Sequence, residues 1–407
     1  MKNTHVCNAQ ALLFLLSIIC VASNLRPSMA SIGPMLSSIR EDIPLTFTHA
    51  SLLTLLPIAA MGAGMFFGQR VSRWVGEHTT ITASLLAIGL AIASRGYANH
   101  AAALIISAIV AGIGIALIQA LIPTIIKKFF RIHTPTIMAI YIAAIMSGAA
   151  LASALSPYLM SGSDGNWRLV LAFWALLTVI ASVSWMFNRS ALISQPPSVI
   201  IHEQHFRRVP RAWTLGLFFG LGTSCYTCVL AWLAPYYIEK GWSPQEAGLV
   251  VSMVTAMEVI AGLLVPILIK NHSDKRWALT ILLLLIGCGF IGLLLSFDYL
   301  NLFWPCLLGI GIGALFPISL IVSMDHIEDA DRSGALTAFV QGVGYIIASV
   351  SPLGAGVIRD EIGSFELAWW ALTLVVLGMI GIAWRFDPET YNQKIYRDLP
   401  KSIHTNI

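Results

Sequence analysis

A membrane-crossing helix needs roughly 20 consecutive, mostly apolar residues, and this chain holds twelve such runs. They fall at about 10–38, 48–68, 78–97, 101–126, 134–160, 167–187, 213–238, 245–269, 277–297, 302–324, 334–357 and 367–385. Polar or turn-forming clusters separate them, among them Arg40-Glu41-Asp42, Ser161-Gly162-Ser163-Asp164-Gly165-Asn166 and Asn271-His272-Ser273-Asp274. Composition agrees, since 57% of the 407 residues are hydrophobic and 11% are charged, against about 25% charged in soluble domains. A chain this apolar cannot hide its oily surface in water-facing cores. Solenoids, disordered chains and cytosolic enzymes are thereby excluded. The fold class expected is an all-α membrane protein, and the 32 Gly and 18 Pro spread through the runs suit packed helices rather than a β-barrel. The first run follows Lys2 but continues past residue 30, so it reads as an uncleaved helix and not as a secretory signal.

The net charge of +4 is small, but its distribution is informative. With the N-terminus inside, the inner face holds Lys2, Arg70, Arg73, Lys127, Lys128, Arg131, Arg189, Arg207, Arg208, Arg211, Lys270, Lys275, Arg276, Arg332, Arg385, Lys394, Arg397 and Lys401. The outer face holds Arg40, Arg95, Arg168, Lys240 and Arg359. Cytoplasmic loops carry the excess of Lys and Arg, so both termini are expected in the cytoplasm, with the chain in the inner membrane. The longest loop, 188–212, is basic and contains Pro196-Pro197. It reads as a cytoplasmic linker between an N-terminal six-helix bundle, 1–187, and a C-terminal one, 213–385, with a cytoplasmic tail at 386–407.

The two halves repeat. Gly112-Ile113-Gly114-Ile115 returns as Gly309-Ile310-Gly311-Ile312, and Ser156-Pro157 returns as Ser351-Pro352. Leu171-Ala172-Phe173-Trp174-Ala175-Leu176 answers to Leu367-Ala368-Trp369-Trp370-Ala371-Leu372, and Thr46, Ala50 and Leu52 answer to Ser243, Ala247 and Leu249. The matches keep one order and an offset of 195 to 197 residues. That offset spans six runs, an even number, so both halves insert with the same orientation. This resembles the parallel repeat of the major facilitator superfamily, two six-helix bundles related by a pseudo-two-fold axis along the membrane normal. In that fold a solute sits near the midplane between the halves, and rocking exposes it to each side in turn.

Within that superfamily the chain is similar to the cyanate/nitroimidazole transporter branch. The residues carrying the resemblance are Leu25-Arg26 with Gly33-Pro34, then Gly112-x-Gly114, Gln119, Pro123 and Ile126-Lys127, then Tyr226, Trp232-Leu233, Gly241, Ala247-Gly248 and Pro266, and last Ala335-Leu336, Gln341, Gly344-Tyr345 and Pro352. They cover nearly the whole chain, in order. The superfamily's signature between the second and third helices is degraded. In Gly68-Gln69-Arg70-Val71-Ser72-Arg73-Trp74-Val75-Gly76 a Ser stands where an acid is usual, and Glu77 follows where a base is usual. Gln119 stands where the branch favours Asn. The resemblance implies a secondary transporter of a small polar or anionic solute, working by alternating access.

Arg26 is the most informative side chain. It lies mid-run, between Asn24 and Pro27. A cation at the bilayer centre costs at least ~2.5–3.5 kcal/mol on insertion scales, so it must face a cavity or a partner. Pro27 and Pro34 each remove a backbone donor, free carbonyls and bend the helix. A guanidinium there suits an anionic or strongly dipolar solute, and the alternative is a structural ion pair. Glu258 is the one carboxylate near the middle of any run, and is either a proton carrier or the countercharge to Arg26. Asn24, Gln119, Tyr141, Tyr226, Trp232, Gln341 and Tyr345 are the remaining solute-binding candidates. Gln341 and Tyr345 share one helix face at i,i+4. Interhelical hydrogen bonding is their other reading.

Other motifs carry less. The Gly112-x-Gly114 and Gly309-x-Gly311-x-Gly313 runs read as close-packing faces, because no strand precedes them as a nucleotide-binding loop requires. The six cysteines include Cys225-x-x-Cys228 within an apolar run, read as packing and not redox chemistry. Asp325-His326-Ile327-Glu328-Asp329-Ala330-Asp331-Arg332 resembles half of a Mg²⁺-binding enzyme site, but a second acidic cluster is lacking and a solvated inner loop is the simpler reading. His202-Glu203-Gln204-His205 is one residue short of zinc-helix spacing. Neither a cofactor nor a nucleic-acid partner is implied. The expected partners are the lipid bilayer, a small solute and, through Glu258, protons, for a carrier acting as a monomer. The alternatives are a proton-coupled drug or metabolite exporter of the same fold, a membrane-embedded enzyme and a non-transporting sensor.

Overall fold

The computed structural model describes residues 2–130, 133–187, 203–269, 271–295, 301–327 and 330–391. Most of the expected linker (188–202), His202 of the short histidine motif, Glu328 and Asp329 of the acidic loop, and most of the tail (392–407) lie outside these residues. Among the described residues the secondary structure is helical, and twelve stretches are long and apolar enough to cross a membrane.

The first stretch departs from the single bent helix expected at 10–38. It is cut into α1 (Lys2–Ser23), α2 (Pro27–Ala30) and α3 (Ile32–Asp42). The cut falls at Asn24-Leu25-Arg26, because Pro27 cannot donate to the ladder and is best placed as a first helical residue. The N-terminal half continues with α4 (Phe47–Val75), α5 (Glu77–Ser94), α6 (Ala101–Phe130), α7 (Thr134–Ser161), α8 (Trp167–Phe173) and α9 (Ala175–Met186). The C-terminal half holds α10 (Pro210–Glu239), α11 (Pro244–Ile269), α12 (Arg276–Leu295), α13 (Phe303–Asp325), α14 (Ala330–Ile362) and α15 (Glu366–Ala383).

The sequence repeat is also a repeat of contacts. Gly112 of α6 lies against the backbone of Pro57 in α4, and Gly309 of α13 lies against Val254 in α11. Gly114 meets Ser84 and Ile88 of α5, and Gly311 meets Leu282 and Ile286 of α12. Gly148 of α7 abuts Ser23 at the end of α1, and Gly344 of α14 abuts Gly220 in α10. Within each pair the two partners are shifted by nearly the same offset, 196 to 198 residues, so the two bundles share one internal architecture. Small residues at these seams let backbones approach where lipid supplies no hydrophobic drive.

The halves meet closely at the end that carries Asp42, Phe47, Glu239 and Pro244. Gly33 of α3 packs so close to the Ala231 carbonyl of α10 that an added Cβ would lie 3.3 Å from it, and Gly248 of α11 packs on the Ser153 carbonyl of α7. The carboxylate of Asp360 in α14 accepts from the backbone N–H groups of Phe47 (2.9 Å) and Thr48 (2.7 Å), capping the first turn of α4 across the interface. The Phe47 ring lies beneath Arg40 (3.9 Å) and Arg359 (4.8 Å) and packs against Trp232 and Phe365. Beside this seal, hydrogen bonds from Trp167 and Arg168 hold the Asp42 carboxyl below the usual carboxylate range. At the opposite, basic end, α4 and α14 still touch, with Phe66 edge-on to Phe339 at 6.2 Å, while α7 stands apart from α11 and α13 around a cavity.

Asp360→Ala removes the cap from α4. Loss of such a cap costs about 1 kcal/mol, which favours the parted arrangement by roughly fivefold. A thiol placed at Thr54, behind the seal, should react with a membrane-impermeant maleimide about that much faster in the variant. An unchanged labelling rate would show that Asp360 does not hold the seal.

Candidate functional site

The cavity between the halves has a volume of about 1040 Å³. The N-terminal half supplies Arg26, Lys127 of α6 and the face of α7 from Thr136 to Met146. The C-terminal half supplies the face of α10 from Phe218 to Tyr226, α11 from Glu258 to Ile267, α13 from Ile312 to Met324, and Tyr345 of α14. Arg26, Tyr226, Glu258 and Tyr345 gather at its inner end. Lys127, Thr136, Ile267 and Met324 mark the end toward the basic loops.

Arg26 is aimed into this space by the break in the first span, and several neighbours clamp the break. Gly148 leaves no room between α7 and the Ser23 carbonyl. Thr178 of α9 donates to Asn24 Oδ1 at 2.8 Å. Arg95, buried at the end of α5, donates from Nη1 to the Ser28 carbonyl (2.6 Å) and from Nε to Ser107 Oγ (2.9 Å). Ser153 donates to the Ala30 carbonyl at 3.2 Å. Carbonyls freed by the break thus find donors, as buried backbone requires.

The Arg26 side chain itself is 4% exposed and, among the described residues, has no acidic partner within ion-pair distance. Nη1 approaches the soft sulfur of Met61 at 3.8 Å, the guanidinium lies 5.5 Å from the centre of the Tyr226 ring, and Nε has no hydrogen-bond partner. Tyr226, Tyr345 and Glu258 line the same cavity, and they and Tyr141 lie within electrostatic reach of Arg26.

Glu258 is likewise 4% exposed, and its Oε2 has no partner. Glu258, Gly262 and Pro266 recur at i, i+4, i+8 and so line one face of α11. That face is fixed from behind by Gly313 of α13, which lies directly on the Glu258 backbone. The hydroxyls of Tyr226 and Tyr141 are also without partners, and the Tyr345 ring stands edge-on to Phe219 at 5.6 Å. An unsatisfied buried polar group costs about 1–3 kcal/mol, and several such groups around one cavity are the mark of a ligand site. With Glu258 as the carboxylate among the lining residues, and neither His nor Cys beside it, the donor set does not suit a metal.

Of the residues singled out from the sequence, Arg26, Tyr226, Glu258 and Tyr345 line the cavity. Tyr141 is buried in their electrostatic reach, on α7. Gln119 is buried on α6 with Oε1 unpartnered, but is not among the lining residues. Asn24 is held by Thr178 inside the N-terminal half. Trp232 is turned to the sealed end, where its Nε1 donates to the Pro352 carbonyl at 2.8 Å. Gln341 is half-buried on α14 and does not line the cavity. The sequence reading missed Phe219, Thr223, Phe316 and Lys127, which line the cavity, and the bracing role of Arg95. Phe219 and Thr223 were findable, since they sit on the Tyr226 face of α10 at i−7 and i−3.

A family profile described as Major Facilitator Superfamily matches residues 12–352 and 242–398. The chain is 34% identical over 379 residues to the cyanate transport protein CynX of Escherichia coli (strain K12), covering 93% of this chain and 98% of that one. It is 27% identical over 380 residues to the 2-nitroimidazole transporter of the same organism, covering 93% and 96%. A crystal structure of the nucleoside transporter NupG superimposes with a TM-score of 0.72 at 13% identity, over 91% of this chain and 99% of that one.

Gly148→Ala would drive a methyl group into the Ser23 carbonyl and displace the break that aims Arg26. Overpacking of this kind costs ~1–3 kcal/mol. Solute affinity of the purified variant should fall about tenfold while membrane yield and the monodisperse elution peak persist. Unchanged affinity would show that the break does not depend on this contact.

Proposed function

Since the chain belongs to the Major Facilitator Superfamily, we propose that its cavity carries a small polar or anionic solute, with Arg26 as the principal ligand. It is a multi-pass secondary transporter. The solute class follows from one observation. A buried guanidinium without an acid partner among the described residues keeps an unused donor and lines a cavity sealed at one end. Desolvated donors of this kind bind carboxylate-like or nitro-like oxygen pairs through a planar fork. 2-Nitroimidazole, named for one Escherichia coli relative, presents such an oxygen pair, and cyanate, named for the other, is a compact linear anion that offers a terminal acceptor. Tyr226, Tyr345 and Phe219 supply flat walls beside the fork.

The halves 1–187 and 213–385 act as the two rocking bodies. The Gly33–Ala231 and Asp360–Phe47 contacts close one side while the cavity communicates with the basic end. The Lys and Arg bias supports a cytoplasmic location for that end and for both termini. The carrier is read as a monomer. A second reading, a proton-coupled exporter, draws on Glu258 and on a volume larger than a small anion needs.

Arg26→Lys keeps the charge and loses the fork. Solute uptake into proteoliposomes should fall at least about tenfold, roughly 1.4 kcal/mol of binding, with reconstitution efficiency unchanged. Wild-type uptake would remove Arg26 from the site. A fluorescent protein fused after Ile407 should mature and fluoresce, as it does only on the cytoplasmic side; a dark fusion at normal expression would invert the topology.

A further inference from the structure

Taking Arg26 as the solute's anchor, as proposed above, we infer that Glu258 is the specificity-determining residue of this carrier. It selects solutes that present a hydrogen-bond donor opposite their acceptor group, and disfavours anions that have no donor.

Arg26 and Glu258 face one cavity, yet they do not neutralise each other. Their charges interact, but nitrogen and oxygen stand farther apart than the 4.0 Å of an ion pair. Each keeps an unpartnered polar atom, Nε on Arg26 and Oε2 on Glu258. Arg26 offers donors only, whereas a carboxyl oxygen of Glu258 offers an acceptor. A solute that bridges the two must therefore carry acceptor atoms at one edge and an N–H or O–H at another. The aromatic groups beside them, Tyr226, Tyr345 and Phe219, favour a planar ring between those edges. A bare anion such as cyanate satisfies Arg26 and leaves Glu258 unmatched, or repelled.

The architecture makes the pairing a property of the two halves together. Glu258 stands one repeat after Met61, and Met61 is the residue whose sulfur touches Arg26. Arg26 in turn stands one repeat before Thr223, which also lines the cavity. Each bundle thus contributes one charged group where its twin carries a neutral one. Gly313 pressed on the Glu258 backbone holds that turn of α11, and so the base of the side chain, in place. Sites built to hydrogen-bond a given group reject the analogue that lacks it far more strongly than sites that only enclose it, because the buried partner is left unpaired.

The test measures binding to the purified, full-length protein with three probes: 2-nitroimidazole, its 1-methyl derivative, which lacks the ring N–H, and cyanate. The wild type should bind 2-nitroimidazole at least about tenfold more tightly than the methylated ring, the size of one well-made polar contact. Glu258→Met, which installs the residue found one repeat earlier, should bring that ratio to about one and leave cyanate binding equal or stronger. Glu258→Gln retains an acceptor and should keep the preference, which separates lost chemistry from lost folding. A wild-type protein that does not distinguish the two rings, or a Glu258→Met variant that still does, would overturn the inference while leaving Arg26 in place. Arg26→Lys should weaken all three probes together; if it weakens none, the anchor itself is wrong, and the ring preference then has to be explained without it.

Discussion

A guanidinium buried between two bundles, with no carboxylate against it, is the constraint around which this molecule is arranged. Charge at the middle of a bilayer is costly unless water, a partner or a ligand meets it. Here the protein meets it only in part. A thioether and an aromatic face stand near the side chain, and one nitrogen remains unused. The break at Asn24-Leu25-Arg26 turns that cost into a directed donor, because a continuous helix would spend its backbone groups on itself and hold the side chain on a fixed spiral. Arg95, Thr178 and Ser153 take up the carbonyls and the amide that the break exposes. The site is therefore paid for by polar groups lodged elsewhere in the N-terminal half.

The repeated glycine seams explain how such a site survives motion between the halves. The contacts Gly112–Pro57, Gly114–Ser84 and Gly148–Ser23 recur as Gly309–Val254, Gly311–Leu282 and Gly344–Gly220. Backbones locked this closely move as blocks, so displacement concentrates at the interface between bundles. That interface adds contacts of another kind. At its sealed end the glycine contacts Gly33–Ala231 and Gly248–Ser153 are joined by a carboxylate on a helix terminus and by tilted and edge-on rings, interactions that can part without opening either bundle. A rigid interior and a separable boundary are what alternating access requires.

Much of the fold was legible in the residues. Length and apolarity of the runs gave the spans, and the ordered repeats gave two equivalent halves, because both properties are local and accumulate along the chain. Pro27 marked a disturbance in the first span, but whether it bends or breaks that span depends on neighbours that take the freed carbonyls, and these come from α5, α7 and α9. The same dependence separated the polar candidates. Tyr226 and Trp232 lie on one helix six residues apart, yet one faces the cavity and the other the seal. At 100° per residue their directions diverge, and only the placement of the partner bundle tells which direction is inward. Asn24 looked like Arg26's companion in sequence, but the break turns it toward Thr178. Arg95 looked like a loop charge at the membrane surface, whereas its long side chain reaches inward to the Ser28 carbonyl.

The most direct measurement is a structure of the protein with a transported solute bound. An acceptor atom of that solute should lie within hydrogen-bonding distance of the Arg26 guanidinium, at the inner end of the cavity beside Tyr226. A solute seated elsewhere, with Arg26 joined to Glu258 in a closed ion pair, would contradict it.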